Sequence, residues 1–286
     1  MQYSTLLPTD TQSELSEFQT FELKPTVENI LLSSQRKRSD HNIIILIAEG
    51  HYDQEIDFKN YSISKNQIVL IPRGVLHREC SICIEKGYGI CFRQDFLAKP
   101  MIEMIDGFIG YITFKNKLNL ALSPEQITEF LNLSKLIEQE KHLKEHQNKK
   151  FILQNLLLVW LNKMESLAQN HQTNNWYIEN GMLFQKFIVL LLQNYKTNKE
   201  ISFYCDNLQC TPAKLSKTIK SVTGKTTNEI IIDTVLLEAK RNLSFTNMSI
   251  KEIAYDLGYE NQFYFSRIFK SKVKTSPDKF RKQHGL

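Results

Sequence analysis

Apolar positions change their period along the chain. Residues 41–49 (HNIIILIAE) form a nearly continuous β-branched run, the pattern of a buried strand. Shorter runs follow at 52–58, 61–64, 67–71 and 83–92, punctuated by Asp57, Lys59-Asn60 and Lys65-Asn66, with Pro72-Arg73-Gly74 as a turn. Short strands without intervening helices predict an antiparallel sandwich or small barrel. From about Asp95 the period lengthens. Ser123-Pro124-Glu125-Gln126 supplies a hydroxyl N-cap, a proline at N1 and a glutamine at N3, which together start a helix. Ile127, Phe130, Leu131, Leu133 and Ile137 continue it at roughly helical spacing. The polar stretch 138–150 ends that helix, and 151–167 reads as a second one, apolar on most sides. Two such helices serve equally as a dimer surface or as ordinary packing within a domain. Residues 170–175 (NHQTNN) have no periodicity and make the best linker.

The C-terminal third repeats itself. Residues 201–205 (ISFYC) align with 250–254 (IKEIA) at an offset of 49, and Asp206 and Leu208 meet Tyr255 and Leu257. Beyond a turn the offset becomes 50, so that LSKTIKSVTGKTTNEI from Leu215 matches FSRIFKSKVKTSPDKF from Phe265. Each copy reads as helix, tight turn, helix. Ile201, Tyr204, Cys205 and Leu208 form an i, i+3, i+4, i+7 stripe, repeated by Ile250, Ile253, Ala254 and Leu257. Thr211-Pro212 starts the second helix of the first copy, and Gly224 ends it. Ser249 to Glu252 and Thr226 to Glu229 are capping boxes, and 230–243 reads as one long connecting helix. Ser276-Pro277-Asp278 starts a terminal helix.

A helix pair with a tight turn places its second helix in the DNA major groove, which is about 12 Å wide and accepts one α-helix. Both second helices divide into an apolar back and a polar front. The first presents Ala213, Lys214, Ser216, Lys217 and Lys220, with Thr211 at its start; the second presents Asn261, Gln262, Phe263, Ser266, Arg267 and Lys270. Lys217 and Arg267 hold the same place in the repeat, where a long cation can reach guanine or phosphate, and Gln262 suits adenine. Each of these residues taken singly could equally be a solubilising surface group.

Charge agrees with a polyanionic partner for this region. Of 36 Lys+Arg and 31 Asp+Glu, residues 181–286 hold 17 and 9. The 286-residue length fits two domains, and 42% apolar with 23% charged residues excludes disorder or a fibre. Apolar runs reach only six residues against the roughly 20 of a spanning helix, so no membrane segment is expected. The start, MQYSTLLPTDTQSE, has no basic stretch before an apolar core, so no secretory signal is expected, and the five cysteines are expected as reduced cytoplasmic thiols.

These C-terminal residues resemble the DNA-binding domain of the AraC/XylS family of bacterial transcription regulators. LLEAKRNL (236–243), SIKEIAYDLGY (249–259), FYFSRIFK (263–270) and TSPDKFR (275–281) carry the likeness. Three positions depart from the family's habit: Val235 stands for an arginine, Lys274 for a glycine, and Phe263 for a serine. The resemblance implies an α+β chain, with an N-terminal cupin-like β-barrel (18–95) and helices (96–169), then a linker (170–180). An all-α domain (181–286) of two helix-turn-helix units joined by a long helix would follow. It implies double-stranded DNA read in two successive major grooves, action beside RNA polymerase as an activator, a homodimer and a cytoplasmic location. No cofactor or catalytic residue is expected. A small-molecule effector would sit in the barrel, with His41, His51, Tyr52, Arg73 and His77 lining or rimming its pocket.

A different class remains open: a cupin-like metalloenzyme, or a thiol or metal sensor, targeted by its DNA-binding half. His51 with Glu55 lacks the His-x-His cluster such an enzyme needs. Cys80-x-x-Cys83 with His77 and Cys91 has the ingredients of a zinc site. On a strand, however, residues three apart face opposite ways, so inert buried thiols are the expectation.

Overall fold

The computed structural model describes residues 17–23, 36–115, 117–168 and 175–285, with 175–180 described in backbone only. It divides into two compact units, Met1–Gln172 and Thr173–Leu286. The first contains β1 (Phe18–Leu23), β2 (Lys37–Arg38), β3 (Asn42–Ile56), β4 (Lys59–Ile63), β5 (Gln67–Ile71) and β6 (Leu76–Phe92). A 3-10 turn (Gln94–Phe96), α1 (Lys99–Phe114), β7 (Asn119–Ala121), α2 (Pro124–His142) and α3 (Lys149–Ala168) follow.

All pairing is antiparallel, in the order β1-β6-β3-β5-β7, with β2 on β6 and β4 on β3. Among the described residues no ladder joins β1 to β7. The ladder between β3 and β6 shifts register on either side of Glu49 and between Asp53 and Gln54. At the first of these, Gly50 has φ +109°, and a Cβ there would lie 2.2 Å from the Cys83 carbonyl oxygen.

These irregularities correct the sequence reading. Residues 42–49 and 52–56 belong to one strand, β3, and the run at 83–92 extends back to Leu76. Lys59-Asn60 lies inside β4, because Asp57 and Phe58, both left-handed at φ 45° and 66°, already make the hairpin turn. The helix from Ser123 runs on through His142, past Glu138 where it was expected to end. Its polar last turns are held on β1, where Glu138 accepts from the Thr20 hydroxyl and Lys141 Nζ donates to the Thr20 carbonyl at 3.0 Å. The start of α2 is the expected capping box. Phe130 and Trp160 meet edge to face at 4.6 Å between α2 and α3, with Trp160 Nε1 donating to Ser134 Oγ.

The second unit is helical: α4 (Asn175–Asn194), α5 (Ile201–Asn207), α6 (Pro212–Thr223), α7 (Thr227–Phe245), α8 (Ile250–Asp256), α9 (Gln262–Val273) and α10 (Pro277–His284). Helix α4 begins within the stretch 170–180 read as linker; residues 169–174 lie outside the described residues. Its Phe184, Phe187, Ile188 and Leu191 are fully buried, and Phe187 packs edge to face on Tyr204 of α5. Helix α7 is the spine, packing against α6, α8 and α10 with Ile230, Ile231, Val235, Ala239 and Leu243 buried. Val235, where the family has arginine, is thus an interior residue here.

Candidate nucleic-acid interface

The two turns are built alike. In the first, Gln209 is left-handed at φ 50° and the Cys210 N–H reaches the Cys205 carbonyl at 3.0 Å. In the second, Gly258 is left-handed at φ 71° and the Tyr259 N–H reaches the Ala254 carbonyl at 2.9 Å. These are the same helix-ending hydrogen bonds 49 residues apart. The second turn is one residue longer before its helix begins.

Each second helix has a capped start. Thr211 Oγ1 accepts from the Lys214 N–H at 3.2 Å, and Asn261 Oδ1 accepts from the Phe263 and Tyr264 N–H groups at 2.7 and 3.2 Å. Thr211 and Asn261, chosen from the sequence as reading residues, therefore also shape the helix. Leu215, Thr218, Ile219 and Val222 bury the back of α6, and Phe265 and Phe269 that of α9.

The fronts face solvent. Ala213, Lys214, Ser216, Lys217 and Lys220 are exposed on α6; Asn261, Phe263, Arg267 and Lys270 are exposed around α9, with Gln262 and Ser266 half-buried. Ala213, Ser216, Lys217 and Lys220 stand at i, i+3, i+4 and i+7, as do Phe263, Ser266, Arg267 and Lys270. Both helices thus carry one stripe: an apolar group, a serine and two cations. The helices end in left-handed residues, Gly224 at φ 75° and Lys274 at φ 67°. Lys274 adopts the conformation that the family's glycine serves.

The two copies are fastened together. Lys196, just after α4, donates to both carboxylate oxygens of Asp256 at 2.8 and 2.9 Å. Lys199 Nζ donates to the Gly258 carbonyl at 3.2 Å and lies 4.8 Å from the Tyr259 ring centroid. Burial pushes Lys199 below and Tyr259 above its ordinary pKa, the latter to about 12. Sequence reasoning missed this clamp and two exposed aromatics, Tyr255 and Tyr264. The signal for Tyr264 was the Phe263-Tyr264 pair directly ahead of buried Phe265.

In the first unit, Tyr52 and His77 fall in one buried polar cluster with Gln54 and Glu79. Gln54 Nε2 donates to His77 Nδ1 at 3.1 Å, while His77 Nε2 is buried with no hydrogen-bond partner. Burial, aided by Lys37 and opposed by Asp57, lowers His77 to about 4, which keeps it neutral at physiological pH. Burial, together with the neighbouring Glu79 carboxylate, raises the Tyr52 phenol well above its usual value. His41 is buried elsewhere, with Nδ1 2.6 Å from the Asp40 carboxylate. His51 and Arg73 are exposed, and Arg73 donates to Asp106 at 3.2 Å, so these two do not line the interior. Gln54 and Glu79 were missed, although alternation from Tyr52 and from His77 points to them.

The thiols divide. Cys91 is buried and raised to about 12 by burial, whereas Cys80 is exposed, which corrects the expectation that all were buried. Among the described residues no group of three His, Cys, Asp or Glu side chains is placed to hold a metal ion, and no helix is long and apolar enough to cross a membrane.

A family model described as a helix-turn-helix domain matches residues 204–283. An HTH-type transcriptional regulator from the cgkA 5' region of Pseudoalteromonas carrageenovora is 30% identical over 118 residues, covering 41% of this chain and 66% of that protein. The transcriptional activator RhaR of Enterobacter sp. (strain 638) is 21% identical over 241 residues, covering 83% of each. Among solved structures, ToxT from Vibrio cholerae aligns at 16% identity with a TM-score of 0.41, covering 93% of this chain and 98% of that one.

Proposed function

The chain belongs to the AraC/XylS family of DNA-binding transcription regulators, and we propose that it reads a bipartite site, with α6 and α9 in successive major grooves on one face of the duplex. The carrying observation is the matched stripe. Two capped helices, each braced from behind by its own helix-turn-helix partner, present the same order of apolar, hydroxyl and cationic groups to solvent. Helix N-termini reach base edges in this geometry, and successive grooves lie about 34 Å apart. The lysines and arginine supply phosphate neutralisation, and Gln262 and Arg267 supply base choice.

In this reading the protein is a regulator rather than an enzyme, acting in the cytoplasm beside RNA polymerase as an activator; of these properties, the name of its relative RhaR states only transcriptional activation, for that protein. The first unit, by family resemblance, senses a small-molecule effector and supports a homodimer through α2 and α3. The polar cluster of Tyr52, Gln54, His77 and Glu79 offers the interior groups that could orient such an effector.

The test is binding of the full chain to duplexes recovered by repeated selection from a random-sequence library. Preference for a recovered sequence over its scrambled form by a factor of about 10³ or more, with affinity falling steeply in salt, is expected. Equal binding of the two forms contradicts sequence-specific reading.

A further inference from the structure

Phe263 is 76% exposed, more than any other exposed large hydrophobic side chain among the described residues. It is the second residue of α9, and its N–H is fixed by Asn261 Oδ1 at 2.7 Å, so the first turn that carries the ring is anchored. The ring takes no part in the core, which Phe265 and Phe269 fill from the opposite face of the same helix. Instead it heads the stripe Phe263, Ser266, Arg267 and Lys270. Fifty residues earlier, the same place is held by Ala213, ahead of Ser216, Lys217 and Lys220. Both copies thus put a hydrocarbon group at the first groove-facing position and cations behind it.

A phenyl ring offers no hydrogen bond to a base edge. What it can meet in a major groove is the C5-methyl group of thymine, an apolar group that none of the other three bases presents there. The excess of 17 Lys and Arg over 9 Asp and Glu in residues 181–286 favours a polyanion as the occupant of this surface over an apolar protein partner. We propose that Phe263 is a specificity-determining residue that reads one thymine by packing against its methyl group. Gln262 beside it, suited to adenine, would extend the preference to an A·T-containing step in the half-site read by α9. This inference rests on the DNA-reading function proposed above.

Uracil isolates the claim, because it differs from thymine only by that methyl group. In a duplex recovered by selection with the full chain, each thymine is replaced singly by uracil, and binding is measured for the natural chain and for Phe263→Ser. At one thymine the natural chain is expected to lose about fourfold in affinity, the ratio for one buried methyl-sized group. That penalty is expected to vanish in Phe263→Ser, which keeps its helical circular dichroism and its salt dependence. Tolerance of uracil at every position by the natural chain overturns the proposal, and so does survival of every penalty unchanged in Phe263→Ser. Failure to recover any preferred duplex is distinguishable from both, and sinks the DNA-reading function together with this inference.

Discussion

Arg267 and Lys220 show how one helical stripe divides its work. Arg267 sits at the third place of the α9 stripe, with its guanidinium 5.9 Å from the Tyr264 ring centroid, which steadies a long side chain for bidentate contact. Lys220 lies in the last turn of α6, away from the helix start where base edges are met. Arg267→Ala is therefore expected to cost about 1–3 kcal/mol of specific binding and to relax base preference at one position, measured on the selected duplex and its point variants. Lys220→Ala should weaken binding to all duplexes alike and lower the salt slope by about one charge. Equal loss on every sequence for Arg267→Ala, or a sequence-selective loss for Lys220→Ala, would reverse the assignment. His77 offers a residue-scale test in the other unit. Its folded pKa of about 4 lies below the ordinary 6.5, so the unfolded chain binds the proton first as pH falls. Stability is thus full above about pH 6.5 and is lost through the window down to about 4, by roughly 3 kcal/mol. Denaturant unfolding across that window should show a shallower pH slope in His77→Gln than in the natural chain, and identical slopes would remove His77 as the cause.

At the scale of elements, the second turn is less forgiving than the first. Gln209 and Gly258 share a left-handed backbone, but a Cβ on Gly258 would lie 1.9 Å from the Lys196 carbonyl oxygen, within the clamp that joins the two copies. Gly258→Ala is expected to destabilise the chain by about 2 kcal/mol or more, read by thermal or denaturant unfolding. An unchanged midpoint would mean that the clamp is not part of the folded unit. The capped helices here were legible in the sequence because caps and stripes are local: Thr211, Thr226, Ser249 and Ser276 each accept the N–H three residues on. Elements held by distant partners were not legible. The run at 187–192 (FIVLLL) has no period to identify it as helix, and only burial against α5 and α6 reveals its place in α4. The three residues of β7 are defined by their ladder to β5 rather than by any pattern of their own. The register shift after Asp53 likewise hid the pairing of Gln54 with Glu79 and of Ile56 with His77, which assembles the polar cluster.

At the scale of the molecule, one duplicated device supplies the function. The long helix α7 joins the copies, and Lys196 and Lys199 bind the entry of the first copy to the turn of the second, so neither recognition helix hangs on a free linker. The basic excess is concentrated in this unit. The first unit contributes an antiparallel sheet with a buried polar cluster, through which the proposed effector would act. Hydroxyl-radical footprinting of the full chain on a selected duplex tests the bipartite reading most directly. Two protected blocks on one face of the duplex are expected, centred about 10 base pairs apart, one for α6 and one for α9. A single short block, or two blocks on opposite faces, would contradict it.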